Sequence, residues 1–143
     1  MSAYLIRAVL AGVIAFCGHA ASAQDLQKYL TDYFKGNAVQ FGYGTGVSSN
    51  LPRVDLVIHY CASGMYLSAG QSCRPNLIAR GYQCTPMRDA GRWQIVTQGN
   101  RAVLQWASNS SGPGGIALAV RPDGVVVDPQ GNPFSRVGQA QCR

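Results

Sequence analysis

Residues 91–107 read GRWQIVTQGNRAVLQWA. Trp93, Ile95 and Thr97 alternate with Gln94, Val96 and Gln98; beyond Gly99 and Asn100, Ala102, Leu104 and Trp106 alternate with Arg101, Val103 and Gln105. Successive side chains of a strand point to opposite faces, so a period of two on both sides of a Gly-Asn turn reads as a β-hairpin. The pattern continues toward the C-terminus. After a loop SNSSGPGG come a strand IALAVR, a turn at Pro122, Asp123 and Gly124, a strand VVVD, a turn PQGNP and a strand FSRV. Short strands separated by turn signals, with no helical period between them, predict a mainly β fold, an antiparallel meander closed into a small barrel or folded into a sandwich.

Upstream, RVDLVIHY (53–60) sets Val54, Leu56, Ile58 and Tyr60 on one face and Arg53, Asp55, Val57 and His59 on the other, the alternation of a half-buried strand. NAVQFGYGTGVSSN (37–50) alternates Val39, Phe41 and Tyr43 with Gln40 and glycines and reads as a first, bendable strand. It lacks the strand, turn and helix order and the lysine of a nucleotide loop. Only QDLQKYLTDYFKG (24–36) breaks the β pattern: Leu26, Tyr29, Leu30, Tyr33 and Phe34 fall at helical spacing, with Asp25 in the first turn, Lys35 in the last and Gly36 as the stop. The expectation is one amphipathic helix packed over an end or an open edge of the sheet.

The first residues, MSAYLIRAVLAGVIAFCGHAASAQ, place Arg7 before an apolar run from Ala8 to Cys17 and then Ala21, Ser22 and Ala23 in a small-x-small pattern. This is the layout of a secretory signal peptide, residues 1–23, with cleavage after Ala23. A run of about ten apolar residues is well short of the roughly 20 that span a bilayer. The remaining residues, 24–143, form one β-rich domain. Without Arg7 the 12 Lys+Arg become 11, against six acids that are all aspartate, a net charge of 11 − 6 = +5.

Loss of the signal also removes Cys17 and leaves Cys61, Cys73, Cys84 and Cys142. An even number of thiols in an exported chain points to disulfides. Cys73 with Cys84 and Cys61 with Cys142 form the natural short and long staples, and the other two connectivities stay open. A thiolate metal site needs close ligand pairs. Here the cysteines are separated by 12, 11 and 58 residues, with His59 the single histidine after the signal, so no metal and no cofactor is expected. His59 and Cys61, in HYC, share a strand face at roughly 6.5–7 Å, too far for a nucleophile and its base. No catalytic residue is nominated.

The segment from Cys73 to Trp93 carries Arg74, Arg80, Arg88 and Arg92 against Asp89 alone and shows little period. It reads as a long loop held by cysteines and as a candidate anion-binding face.

Cys61, Ser63, Gly64 and Tyr66, then Gly91, Arg92 and Trp93 opening a later strand, the GNRAVL hairpin arm and Cys142 together resemble small lipocalin-like, or calycin-like, β-barrels of bacterial envelopes, including the C-type lysozyme inhibitors. The SG-containing loop of that family enters the lysozyme cleft, so the resemblance implies an inhibitory loop that contains Ser63 and Tyr66. This loop is one residue shorter before its aromatic than the family's.

Three function classes follow. The first is a secreted or periplasmic, non-catalytic binding or structural module whose basic loop or barrel mouth meets an anionic envelope component, an apolar ligand or a secreted protein. The second is an inhibitor of a secreted hydrolase such as lysozyme. The third is a small secreted enzyme, disfavoured because one histidine, six aspartates and no glutamate give few acid–base pairs. Nucleic acid is not expected as a partner, since the arginines are not interleaved with stacking aromatics. Stable membrane insertion is not expected either.

Overall fold

A computed structural model describes residues 22–44 and 52–143. It comprises a helix α1 (Ala23–Phe34) and strands β1 (Asn37–Tyr43), β2 (Arg53–Tyr60), β3 (Met65–Asn76), β4 (Gly81–Gln98), β5 (Arg101–Ser108), β6 (Gly112–Val120), β7 (Val126–Val127) and β8 (Pro133–Gln139). Each strand pairs antiparallel with the next, and β1 also pairs with β8, so the meander closes into a barrel rather than a sandwich. Closure removes the unpaired edges that an open sheet would expose. The expected signal peptide lies outside the described residues except for Ser22 and Ala23.

The alternation read from the sequence sets the barrel's inside. Val54, Leu56, Ile58 and Tyr60 of β2 pair with Ser72, Gly70, Ser68 and Tyr66 of β3, and these in turn with Thr85, Met87, Asp89 and Gly91 of β4. Trp93 and Ile95 continue that face and meet Trp106 and Leu104 across the expected Gly99–Asn100 turn. One end is filled by α1. Leu30 and Phe34 are fully buried, and the Phe34 ring lies 4.8 Å from Tyr60 and 5.6 Å from Phe134 in edge-on contacts. Burial of each such side chain contributes roughly 1.5–3 kcal/mol. Tyr33 donates its hydroxyl to the carbonyl of Phe134 at 2.6 Å, and Gln27 Nε2 donates to the carbonyl of Ile95 at 3.0 Å.

The helix begins earlier than its apolar spacing suggested. Ser22 is its N-cap, accepting from the Asp25 amide, while the Asp25 carboxylate accepts from the Ser22 amide. This reciprocal pair satisfies two backbone donors that would otherwise be orphaned. Gly36, at φ 76°, ends the helix and turns the chain into β1.

Two expectations are corrected. Residues 74–92 are not a long loop: β3 and β4 run in unbroken register from Met65↔Arg92 to Asn76↔Gly81, and only residues 77–80 turn. The hairpin continues past the Arg53↔Cys73 pairing with β2, so both faces of its outer part are wet and no apolar alternation marks it. Second, SNSSGPGG is not all loop, because Gly112 to Gly115 already belong to β6. Gly114 pairs with Trp106, and a Cβ there would sit 2.5 Å from the indole ring. Glycine is what lets the tryptophan lie flat on the neighbouring strand.

Both disulfides form with the short and long connectivity. Cys73–Cys84 joins directly paired residues of the hairpin, and Cys61–Cys142 ties the C-terminus to the β2–β3 turn, a separation of 81 residues. Stable disulfides belong to an oxidising environment rather than to a reducing cytoplasm. Among the described residues no helix is long and apolar enough to cross a membrane.

Candidate functional site

At the end opposite α1 the barrel is not filled. A cavity of about 290 Å³ is lined by Phe41, Leu56, Ile58, Leu104, Trp106 and Ile116, with Tyr60 and Phe134 toward its floor and Met87 and Arg88 at its rim. An eight-stranded barrel is just wide enough for its side chains to fill it or for one small ligand to sit inside. Here the inward residues near the mouth are too short or too widely spaced to close it: Ser68 and Gly70 stand where β3 faces Asp89 and Met87 of β4.

One polar cluster interrupts the apolar wall. The Tyr66 hydroxyl donates to Asp89 Oδ2 at 2.5 Å, and Ser108 and Ser110 donate to Asp89 Oδ1 at 2.7 and 3.1 Å. Ser108 Oγ in turn accepts from the amides of Ser110 and Ser111. Gly91 makes room for this arrangement, since a Cβ there would come within 2.9 Å of the Tyr66 ring and would collide with the backbone of β5. Partial burial by itself pushes the Asp89 pKa up, but the hydrogen bonds from Tyr66, Ser108, the Ala90 amide and Ser110 outweigh it and hold the carboxyl below its ordinary value. Burial, and then the bond to Asp89, push the Tyr66 hydroxyl up to about 12. The cluster at neutral pH is therefore a carboxylate held by three hydroxyl donors.

These two shifts point away from proton transfer. A general base works best with a pKa near the working pH. Asp89 is moved to a weaker base and Tyr66 to a weaker acid, and no imidazole is near, because His59 accepts the amide of Gln141 on its Nδ1 at 3.0 Å and fastens the C-terminal tail. Among the described residues no group of three or more His, Cys, Asp or Glu side chains is arranged to hold a metal ion.

The other residues singled out by sequence are dispersed. Arg74 shares the inner face of the hairpin with Ser72, Gln83, Thr85 and Met87, lining a shallow depression above the cavity mouth. Arg80 lies in the hairpin turn, and Arg88 and Arg92 alternate with Asp89 and Gly91 and so lie on the outer face. The four arginines do not make one surface. Ser63 is exposed in the β2–β3 turn beside the α1 end, whereas Tyr66 is only 6% exposed and points inward. Comparison with known protein families, characterised proteins and solved structures finds no match for this chain. The functional reading thus rests on the cavity and its carboxylate.

The cavity-lining residues of β2 were visible as an apolar face. The pairing of Tyr66 with Asp89 was not, because it depends on a register between residues 23 apart. The signal that could have found it is the isolated acid among arginines, followed by a glycine at position 91.

Proposed function

We propose that this protein is an exported, non-catalytic binding barrel that takes up a small, largely apolar molecule whose polar end is neutral or cationic. The observation that carries this reading is a cavity walled by six apolar side chains with a single ionised carboxylate in reach of its interior. Ligand sites are typically apolar clefts with a few placed polar groups, and about 290 Å³ is at the lower end of their roughly 300–1,000 Å³ range. A carboxylate ligand would meet Asp89 in a setting of low dielectric and be repelled, whereas an alcohol or an ammonium can donate to Asp89 or to the Tyr66 oxygen. The two disulfides and the signal-like first residues support a place outside the cytoplasm, in the periplasm or beyond. The inhibitor alternative has less support, because burial of Tyr66 removes the aromatic from the exposed turn that holds Ser63.

The reading is tested by binding of the neutral fluorophore 1-aminoanthracene to the disulfide-bonded protein and its displacement by decan-1-ol. Ile116→Trp, which fills the cavity from β6, should abolish dye binding while leaving the circular dichroism of the barrel intact. Dye binding unaffected by this substitution would place the apolar site elsewhere.

A further inference from the structure

The β3–β4 hairpin ends in a tip whose chemistry the barrel does not need. Leu77 is 82% exposed and Ile78 98% exposed, and the two form an adjacent apolar pair at the far point of the turn. Isolated exposed apolar residues are ordinary, but two large aliphatic side chains at the apex of a protruding arm are not explained by lack of space in the core. The turn is well built. Asn76 Oδ1 accepts from the amides of Ile78 and Ala79 at 3.1 Å each, Arg80 adopts φ 50°, and Cys73–Cys84 clamps the arm just below. From Gln71 to Arg88 the chain has three arginines and no acid, with Arg74 and Arg80 flanking the apolar pair.

We infer that the Leu77–Ile78 tip, with Arg74 and Arg80 behind it, docks this protein reversibly onto an anionic lipid surface. The apolar pair enters the interface while the guanidinium groups meet the headgroup phosphates. The small size of the tip favours a bilayer over a folded protein. A specific protein interface buries roughly 1,200–2,000 Å², far more than one turn offers, whereas an interface anchor needs only a few apolar side chains and neighbouring cations. The disulfide and the Asn76 hydrogen bonds hold the tip in shape before contact, so little chain entropy is lost on docking. The site is independent of the barrel cavity: it lies on the arm, and its partner is a surface rather than a molecule taken inside.

The test is co-sedimentation of the disulfide-bonded protein with vesicles of phosphatidylcholine alone and of phosphatidylcholine with phosphatidylglycerol. Binding is expected to the anionic vesicles only and to fall as salt rises. Arg74→Gln with Arg80→Gln should weaken it by about 25-fold at low salt, and Leu77→Ser with Ile78→Ser should abolish it, each without change in near-ultraviolet circular dichroism. In Ile78→Trp, the new indole should shift its emission to the blue on anionic vesicles. The inference is overturned if the wild-type protein ignores anionic vesicles at low salt, if the serine variant binds as well as wild type, or if the tryptophan emission does not move.

Discussion

Tyr66 on β3 and Asp89 on β4 are joined by a 2.5 Å hydrogen bond inside the barrel, the phenol donating to the carboxylate. The pair places a charge where the surrounding wall is apolar. Asp89 tolerates this because Ser108 and Ser110 add two more donors, so its charge is solvated by the protein before any ligand arrives.

The depressed Asp89 pKa has a signed consequence for stability. A carboxyl whose folded pKa lies below its unfolded one stabilises the fold fully above the unfolded value of about 3.9 and ceases to do so as pH falls through the folded value. Melting curves between about pH 6 and pH 2 should therefore fall more steeply for the wild type than for Asp89→Asn. Parallel curves would mean that the three hydroxyl donors do not favour the ionised form.

The two disulfides should differ in worth. Closing an 81-residue separation stabilises by about 4.5 kcal/mol and an 11-residue one by about 3 kcal/mol in the chain-entropy account. Replacing Cys61 and Cys142 by serine should lower the denaturant midpoint more than replacing Cys73 and Cys84, and thiol titration of the denatured, unreduced native protein should read near zero. The reverse order of midpoints would show that the hairpin clamp, not the tie to the C-terminus, governs global stability.

The expected signal cleavage after Ala23 falls inside the capping box of α1, removing Ser22. Loss of an N-cap serine costs about 1 kcal/mol. A chain that starts at Gln24 should unfold at lower denaturant than one that starts at Ser22, and equal midpoints would show that the helix draws nothing from its cap.

His59 acts through its acceptor nitrogen. His59→Phe should leave the barrel folded, change stability by no more than about 1.5 kcal/mol, and speed hydrogen exchange at the Gln141 amide. Unchanged exchange at that amide would remove the role assigned to the imidazole.

Much of the fold was legible because it depends on local rules. The period of two in RVDLVIHY and in GRWQIVTQGNRAVLQWA gave the inner face of β2, β4 and β5, and Leu30 and Phe34 stood out at helical spacing and prove to be the buried residues of α1. The outer hairpin was hidden for the opposite reason. Pro75 and Pro86 interrupt its strands, and with water on both faces its side chains carry no apolar contrast. The polar cluster was hidden because Tyr66, Asp89 and Ser108 come from three strands and meet only once the register is set.

The central claim is that the cavity takes an apolar molecule and that Asp89 selects the charge of its polar end. Calorimetric titration of the disulfide-bonded protein with decan-1-ol, decylamine and decanoate tests it most directly. The alcohol and the amine should bind with a negative heat-capacity change, as burial of apolar surface requires, and decanoate should bind most weakly, gaining affinity in Asp89→Asn. Preferred binding of decanoate by the wild type, or no heat with any of the three, would contradict the account.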